Sequence, residues 1–386
     1  MTEWIECTLD KLGEIVGGAT PSTKCEDYYG GSIPWITPKD LSSFKGRYIT
    51  SGERNITEKG LASCSAQMMP KDAVLFTSRA PIGYVAIASQ SVCTNQGFKS
   101  IVVNEKADPL FVYYLLKYNK DAIEAMGSGT TFKEVSGKTM RAVKVRIPVD
   151  VSYQKRIAAV LDSLDTKIEN NERINDNLQQ QAAALFSSLY DRSNTEVRFT
   201  DLIQILGGGT PKTGENTYWN GNIAFFTPKD VGTPYTLITE KTITKEGLSH
   251  CNSRLYPMNT VFVTARGTVG KVGMSGVPMA MNQSCYALVG KETHQLLVYF
   301  YTLKAVDRLK HKASGAVFDA ITTRDFESEQ IMKLSDDDAT AFLRVAEPMF
   351  QEVLNNNIEN LRLSTLRDSL LPKLMSGEID ASAVQL

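Results

Sequence analysis

None of the six cysteines, at positions 7, 25, 64, 93, 251 and 285, forms a CxxC pair, and none of the three histidines stands near a second ligand at metal-binding spacing. Zinc sites need such clusters, so the cysteines read as small buried thiols and no metal is expected. No run of about 18 apolar residues occurs, which excludes a membrane-spanning helix. The opening residues have no basic run and no apolar core, so no secretory signal is expected and the protein reads as cytoplasmic. A Gly-x-x-x-x-Gly-Lys-Ser/Thr loop for a nucleoside triphosphate is missing. There is no Pro-Pro pair, hence no Asn/Asp-Pro-Pro-aromatic motif of a methyltransferase. Gly17-Gly18 and Gly207-Gly208-Gly209 lack the context of a dinucleotide loop and read as turns. His250, His294 and His311 have no counterparts in the first half and read as solvated. No catalytic set emerges.

Glycine and proline are also missing from residues 154–190. There Ile157, Leu161, Leu164, Ile168, Leu178, Ala182, Leu185 and Leu189 keep a heptad spacing, the seam of a packed helix pair. Asn171 and Asn175 fall on the same seam, where a buried amide costs stability but fixes register. A helix of this length spans roughly 55 Å at about 1.5 Å per residue, too long for one small domain, so it reads as a spacer. A second long helix is expected over 339–375, carrying Phe342, Ala346, Phe350, Val353, Leu354, Ile358, Leu361, Leu366, Leu370 and Leu374. Pro348 is expected to kink it or mark its first turn, and the change of phase between Leu361 and Leu366 reads as a stutter.

What is present is a duplication. Gly17-Gly18-Ala19-Thr20-Pro21 returns as Gly207-Gly208-Gly209-Thr210-Pro211, and the segment from Ile33 to Asp40 returns from Ile223 to Asp230, both at an offset of 190. Gly60, Pro70, Arg79, Gly83 and Asn95-Gln96 return as Gly247, Pro257, Arg266, Gly270 and Asn282-Gln283, at 187. Ser128, Gly129 and Phe132 return as Ser314, Gly315 and Phe318, at 186. The organisation is therefore a first domain (1–150), a central helix (151–195), a second domain (196–333), and a distal helix with a tail (334–386). Short β-rich runs at 72–78, 84–88, 99–103 and 260–265, with helical stretches at 109–125 and 295–312, make the class α+β. The expected architecture is two duplicated α/β domains separated by two long antiparallel helices, with pseudo-twofold symmetry. Net charge is −1 overall, but residues 1–150 hold 18 basic against 16 acidic side chains and residues 196–333 hold 15 against 12. The domains are mildly basic and the tail acidic.

Recognition chemistry recurs where catalysis does not. Arg79 and Arg266 each lie between a strand and a glycine-bearing turn, and suit a phosphate or a guanine edge, or else a nearby carboxylate. Asn95, Gln96, Asn282 and Gln283 carry amides suited to adenine, or to loop backbone. Lys39 and Lys229 lie within reach of a phosphate, beside turn-capping Asp40 and Asp230. If the two copies read different sequences, shared residues are scaffold or backbone contacts, and specificity belongs where the copies diverge. Those stretches are 42–55 with Lys45, Arg47, Tyr48 and Arg54, against 232–242 with Tyr235 and Lys241, and 130–138 with Lys133, against 316–324 with Asp319 and Arg324.

The set as a whole resembles the specificity subunit of a type I restriction-modification enzyme. The resemblance is carried by Leu12 to Pro21, Ile33 to Asp40, Asn95-Gln96, the segment Gln154-Lys155-Arg156-Ile157 through Asp165 opening the central helix, and the tail from Leu370 to Ile379. It covers nearly the whole chain. The distal helix departs from it, with Phe342-Leu343-Arg344-Val345 in place of a Gln-Lys-Arg-Ile start. The resemblance implies two target recognition domains on double-stranded DNA, with the helices acting as ruler and as dock for two modification subunits. Those subunits would hold S-adenosylmethionine, and translocating restriction subunits would join them. This chain would bind no cofactor and contribute no catalytic residue. The alternative is a non-enzymatic twin-domain adaptor for protein or RNA.

Overall fold

A computed structural model describes residues 2–79, 81–129, 133–232, 234–312 and 320–384. Phe132, Ser314, Gly315, Ala316, Phe318 and Asp319, named above, lie outside the described residues.

Each half of the chain builds the same set of sheets. In the first, the strands Gly13–Gly17, Lys99–Val103, Val74–Phe76, Val85–Ala88 and Tyr48–Ile49 are neighbours in that order, the last pair parallel and the others antiparallel. A second sheet orders Arg54–Ile56, Tyr29–Ile36 and Cys93–Thr94, and Trp4–Thr8 pairs with Lys144–Pro148. In the second half, Ile203–Gly207, Cys285–Gly290, Val261–Thr264, Val272–Ser275 and Tyr235–Thr236 repeat the five-stranded order. Lys241–Ile243, Trp219–Phe226 and Met279–Met281 repeat the three-stranded one, and Thr195–Arg198 pairs with Gln330–Lys333. Two identical strand orders are what a duplicated sequence demands, and the class is α+β with a long helix joining two similar sheet-containing domains.

The central helix runs unbroken over Val151–Tyr190 and the distal helix over Asp336–Ser376. The distal helix continues through Pro348 and Pro372. The helical stretch at 109–125 is two helices, Pro109–Tyr118 and Lys120–Ala125, interrupted at Asn119, whose side chain donates back to the Leu115 carbonyl at 2.8 Å. By compactness the chain divides into Met1–Glu169 with Arg362–Leu386, and Asn170–Leu361.

The spacer reading needs one correction. Both ends of the central helix are embedded in domain cores. Ile157, Ala158, Val160 and Leu161 are buried in the first core with Phe111, Tyr114, Leu374 and Met375. Ala182, Phe186, Leu189 and Tyr190 are buried in the second with Phe300, Phe342 and Phe350. Burying those faces is what holds the helix, because isolated helical segments are marginal in water. Leu164 and Ile168 are only half-buried and Leu361 is 37% exposed, so Leu361 leaves the expected seam. Leu178, Leu185 and Ile358 pack at the edge of the second core, and Leu354 inside it.

In the second unit the helices run antiparallel. Asn171 Nδ2 donates to Glu359 Oε2 at 2.7 Å and to Asn360 Oδ1 at 2.9 Å, and Phe186 meets Phe342 ring to ring at 5.5 Å. In the first unit Arg367 Nη1 lies 2.6 Å from Asp165 Oδ1, and the tail returns to the start of the central helix, where Arg156 donates to the carbonyls of Ala381 and Ser382. Among the described residues no helix is long and apolar enough to cross a membrane.

Candidate nucleic-acid interface

The residues common to both copies mostly build the loops that carry the surface. Asp40 Oδ2 accepts from the Thr37 amide at 2.7 Å, while its Oδ1 accepts from the Glu53 amide at 2.8 Å. Asp230 does the same for Thr227 at 2.8 Å and Glu240 at 2.7 Å. One carboxylate thus staples a strand end to the loop beyond it. This fixes the preceding lysine outward: Lys39 pairs with Glu53 at 2.7 Å and Lys229 with Glu240 at 3.7 Å, all four side chains well exposed. Exposed pairs of this kind are weak and open to competition from another anion.

The amides answer to the loop backbone. Asn95 Oδ1 accepts from the Gly97 amide at 2.8 Å and Asn282 Oδ1 from the Ser284 amide at 3.0 Å. Gln96 Oε1 accepts from the Thr20 hydroxyl and Gln283 Oε1 from the Thr210 hydroxyl. Of the glycines expected as turns, Gly18 and Gly208 serve a close approach, while Gly17 and Gly207 face open space. A Cβ on Gly18 would lie 2.1 Å from the Asn95 carbonyl oxygen, and one on Gly208 would lie 2.2 Å from that of Asn282. Each strand leaves the five-stranded sheet there by sliding along the loop that bears the Asn-Gln pair.

The two arginines share a turn. Thr77 Oγ1 donates to the Pro81 carbonyl and accepts from the Tyr84 amide, both at 2.8 Å, and Thr264 repeats this with Thr268 and Lys271. Gly83 at φ +98° and Gly270 at +73° close it in the left-handed region that side chains avoid. Arg79 Nη1 lies 3.7 Å from Glu134, whereas Arg266 is exposed and opens onto a cavity of about 510 Å³.

Several divergent residues fall elsewhere than expected. Arg47 is buried and turned onto the central helix, donating to the Asp162 carbonyl and Thr166 Oγ1, each at 2.9 Å, and pairing with Asp162 Oδ1 at 2.7 Å and Glu169 at 3.0 Å. Beside it the Tyr114 hydroxyl donates to Asp165 Oδ2 at 2.7 Å; burial and that carboxylate push the phenol far above its ordinary range. Burial also raises the Asp162 carboxyl, with Arg47 opposing the rise. Arg47 therefore anchors a loop to the helix instead of facing outward. Tyr235 is buried too, edge-on to Phe350 at 6.4 Å, so the second domain makes the matching anchorage with aromatics. Tyr48 stays 45% exposed, and Lys45, Lys133 and Arg324 are exposed.

Two of the expected divergent cations share one place in the fold, and a third cation, Lys271, was not expected. Arg54 lies opposite Trp35 and Lys241 opposite Phe225 in matching sheet registers, and Lys271 lines the second domain's cavity. The same 187-residue offset that related Arg79 to Arg266 relates Arg54 to Lys241, which was the available signal.

Comparison with known proteins closes the argument. The family model described as "Type I restriction modification DNA specificity domain" matches residues 1–180 and 192–333. The type I restriction enzyme MjaIX specificity subunit of Methanocaldococcus jannaschii is 30% identical, over 98% of this chain and 94% of that one. The HindI specificity subunit of Haemophilus influenzae is 24% identical, over 73% and 80%. In fold, the chain resembles the S subunit of a type I restriction-modification system from M. genitalium, with a TM-score of 0.63, 16% identity, and 97% and 96% of the two chains covered. Two copies of one α+β domain, matched over most of their length by that model, place this chain in the type I restriction-modification DNA specificity family.

Proposed function

We propose that the chain is the sequence-reading subunit of a type I restriction-modification complex, each domain contacting one half of a bipartite, asymmetric site on double-stranded DNA. The observation that carries this is the pairing of one scaffold with two unlike surfaces. Strand order and stapling aspartates are common to both copies, while the side chains around the shared arginine differ, with Tyr84 where Lys271 stands and Glu134 where Ala320 stands. The long helices serve as ruler and as dock for two modification subunits, which carry S-adenosylmethionine and methylate the DNA. Translocating restriction subunits complete the complex, and this chain supplies no catalytic group. It works in the cytoplasm.

Adding one turn, about 4 residues or roughly 6 Å, to both long helices is expected to lengthen the unread gap by one or two base pairs of about 3.4 Å. Sequencing of methylated sites in cells carrying the insertion mutant reads the gap directly. An unchanged gap would refute the ruler, and the absence of any bipartite sequence would favour a protein- or RNA-binding adaptor.

A further inference from the structure

The arginine that both copies share sits in unlike surroundings. In the first domain Glu134 takes both Arg79, at 3.7 Å, and Lys99, at 3.4 Å. Arg79 and Glu134 are also joined as a backbone bridge. The same bridge in the second domain joins Arg266 to Ala320, so the carboxylate has become a methyl group. Lys99 lies opposite Gly17 in its sheet, and Tyr286 lies opposite Gly207, so the second cation has become a phenol. Among the described residues no carboxylate lies within ion-pairing distance of Arg266.

A further change runs the same way. The Thr77 amide donates to the Tyr84 carbonyl and the Thr264 amide to the Lys271 carbonyl, so Lys271 replaces a tyrosine. Arg266, Lys229, Lys241 and Lys271 line the cavity of about 510 Å³ with Thr268, and among the described residues Glu240 is its one carboxylate. The backbone that presents Arg266 is fixed on both sides. The Ala265 amide donates to the Ser284 carbonyl at 2.8 Å, and the Ala265 carbonyl accepts from the Ile321 amide at 3.0 Å.

We infer that this cavity of the second domain seats a DNA phosphate on Arg266, Lys241 and Lys271, whereas Arg79 of the first domain is a strut tied to Glu134. The inference rests on the DNA-reading function proposed above. It makes the two domains unequal: the second carries more of the salt-dependent affinity. Four cations against one carboxylate select an anion, and a backbone phosphate is the anion that a duplex offers whatever its sequence.

The test is a salt titration of the full chain with its modification subunits on a random-sequence duplex, followed by fluorescence anisotropy. Each phosphate contact contributes about 0.9 to the slope of log K against log salt. Arg266→Ala is expected to lower the slope by about that amount, and Ala320→Glu to do the same by supplying the missing carboxylate. Arg79→Ala is expected to leave the slope unchanged, and Glu134→Ala to raise it by freeing Arg79. Asp319→Asn is expected to change nothing, and a rise there would assign Arg266 to Asp319 and overturn the inference. Equal losses in Arg79→Ala and Arg266→Ala, or no loss with Ala320→Glu, would also overturn it. So would an altered base preference in Arg266→Ala at unchanged slope, which marks a base contact. Wild-type complex that fails to bind any duplex would instead remove the DNA reading itself.

Discussion

Asn356 donates its side-chain amide to Asn175 Oδ1 at 2.9 Å, and Asn175 in turn donates to Asn357 Oδ1 at 2.9 Å. This amide chain joins the two long helices within the second unit, and Asn175 and Asn356 are both buried. A buried amide that loses its partner costs about 1–3 kcal/mol. Asn175→Leu should therefore destabilise the chain by roughly that amount, and Asn175→Leu with Asn356→Leu should recover part of it. Urea unfolding measures both; a single mutant as stable as wild type would remove the network from the account of register.

The Arg47 anchorage predicts a loss that lysine cannot repair. Its guanidinium serves two carboxylates, a hydroxyl and a carbonyl at once, and a lysine ammonium cannot match that fork. Removing one partner of a buried pair costs about 3–5 kcal/mol. Asp162 and Glu169 are about a third exposed, which screens them, so Arg47→Ala is expected to fall below that range, at roughly 2–3 kcal/mol. Arg47→Lys should regain less than half. Thermal unfolding of the two variants decides it.

Phe186 stacks on Phe300 at 5.0 Å and meets Tyr301 and Phe342 edge-on. Its neighbour Leu185 is only half-buried. Truncating a fully packed phenylalanine costs about 3–5 kcal/mol. Phe186→Ala should thus cost at least twice what Leu185→Ala does. Equal costs in chemical denaturation would contradict the packing described.

Burial pushes the Cys93 and Cys285 thiols up to about 12. Thiolate is the reactive form, so at pH 8 these two should resist alkylation in the folded chain while all six react in urea. Peptide mapping by mass spectrometry distinguishes them. A raised thiol also means that the folded chain keeps protons which the unfolded chain releases above about pH 9. Stability contributed by these groups is present below that pH and is lost as pH climbs toward 12. A stability that rose over this interval would contradict the burial.

The duplication, the α+β class and the long helices were legible because each repeats locally. Glycine spacing, strand-sized apolar runs and heptads need no knowledge of distant residues. The seam was legible at Ile157, Leu161, Asn171, Asn175, Ala182 and Leu189, which are buried, but not at Leu164, Ile168, Leu178 and Leu185, which are half-buried, nor at Phe186, which is buried and off it. A straight helix drifts about 20° per heptad against a strict seven-residue repeat. Over the four heptads from Ile157 to Leu185 that is roughly 80°, which carries the buried face on to Phe186. Arg47 was misplaced for a related reason: nothing near it in sequence tells that Asp162 and Glu169 will lie across from it.

By itself the sequence determined that one scaffold occurs twice and that unbroken helical segments follow each copy, because propensity and periodicity act over a few residues. Only the tertiary structure decided which charges are already spent. Arg79 and Arg266 are the same residue at the same turn, and what separates them is Glu134 against Ala320, more than fifty residues away along the chain and adjacent only once the strands have paired. Coulomb attraction at a few ångströms depends on that proximity and on nothing that a local reading of the chain contains.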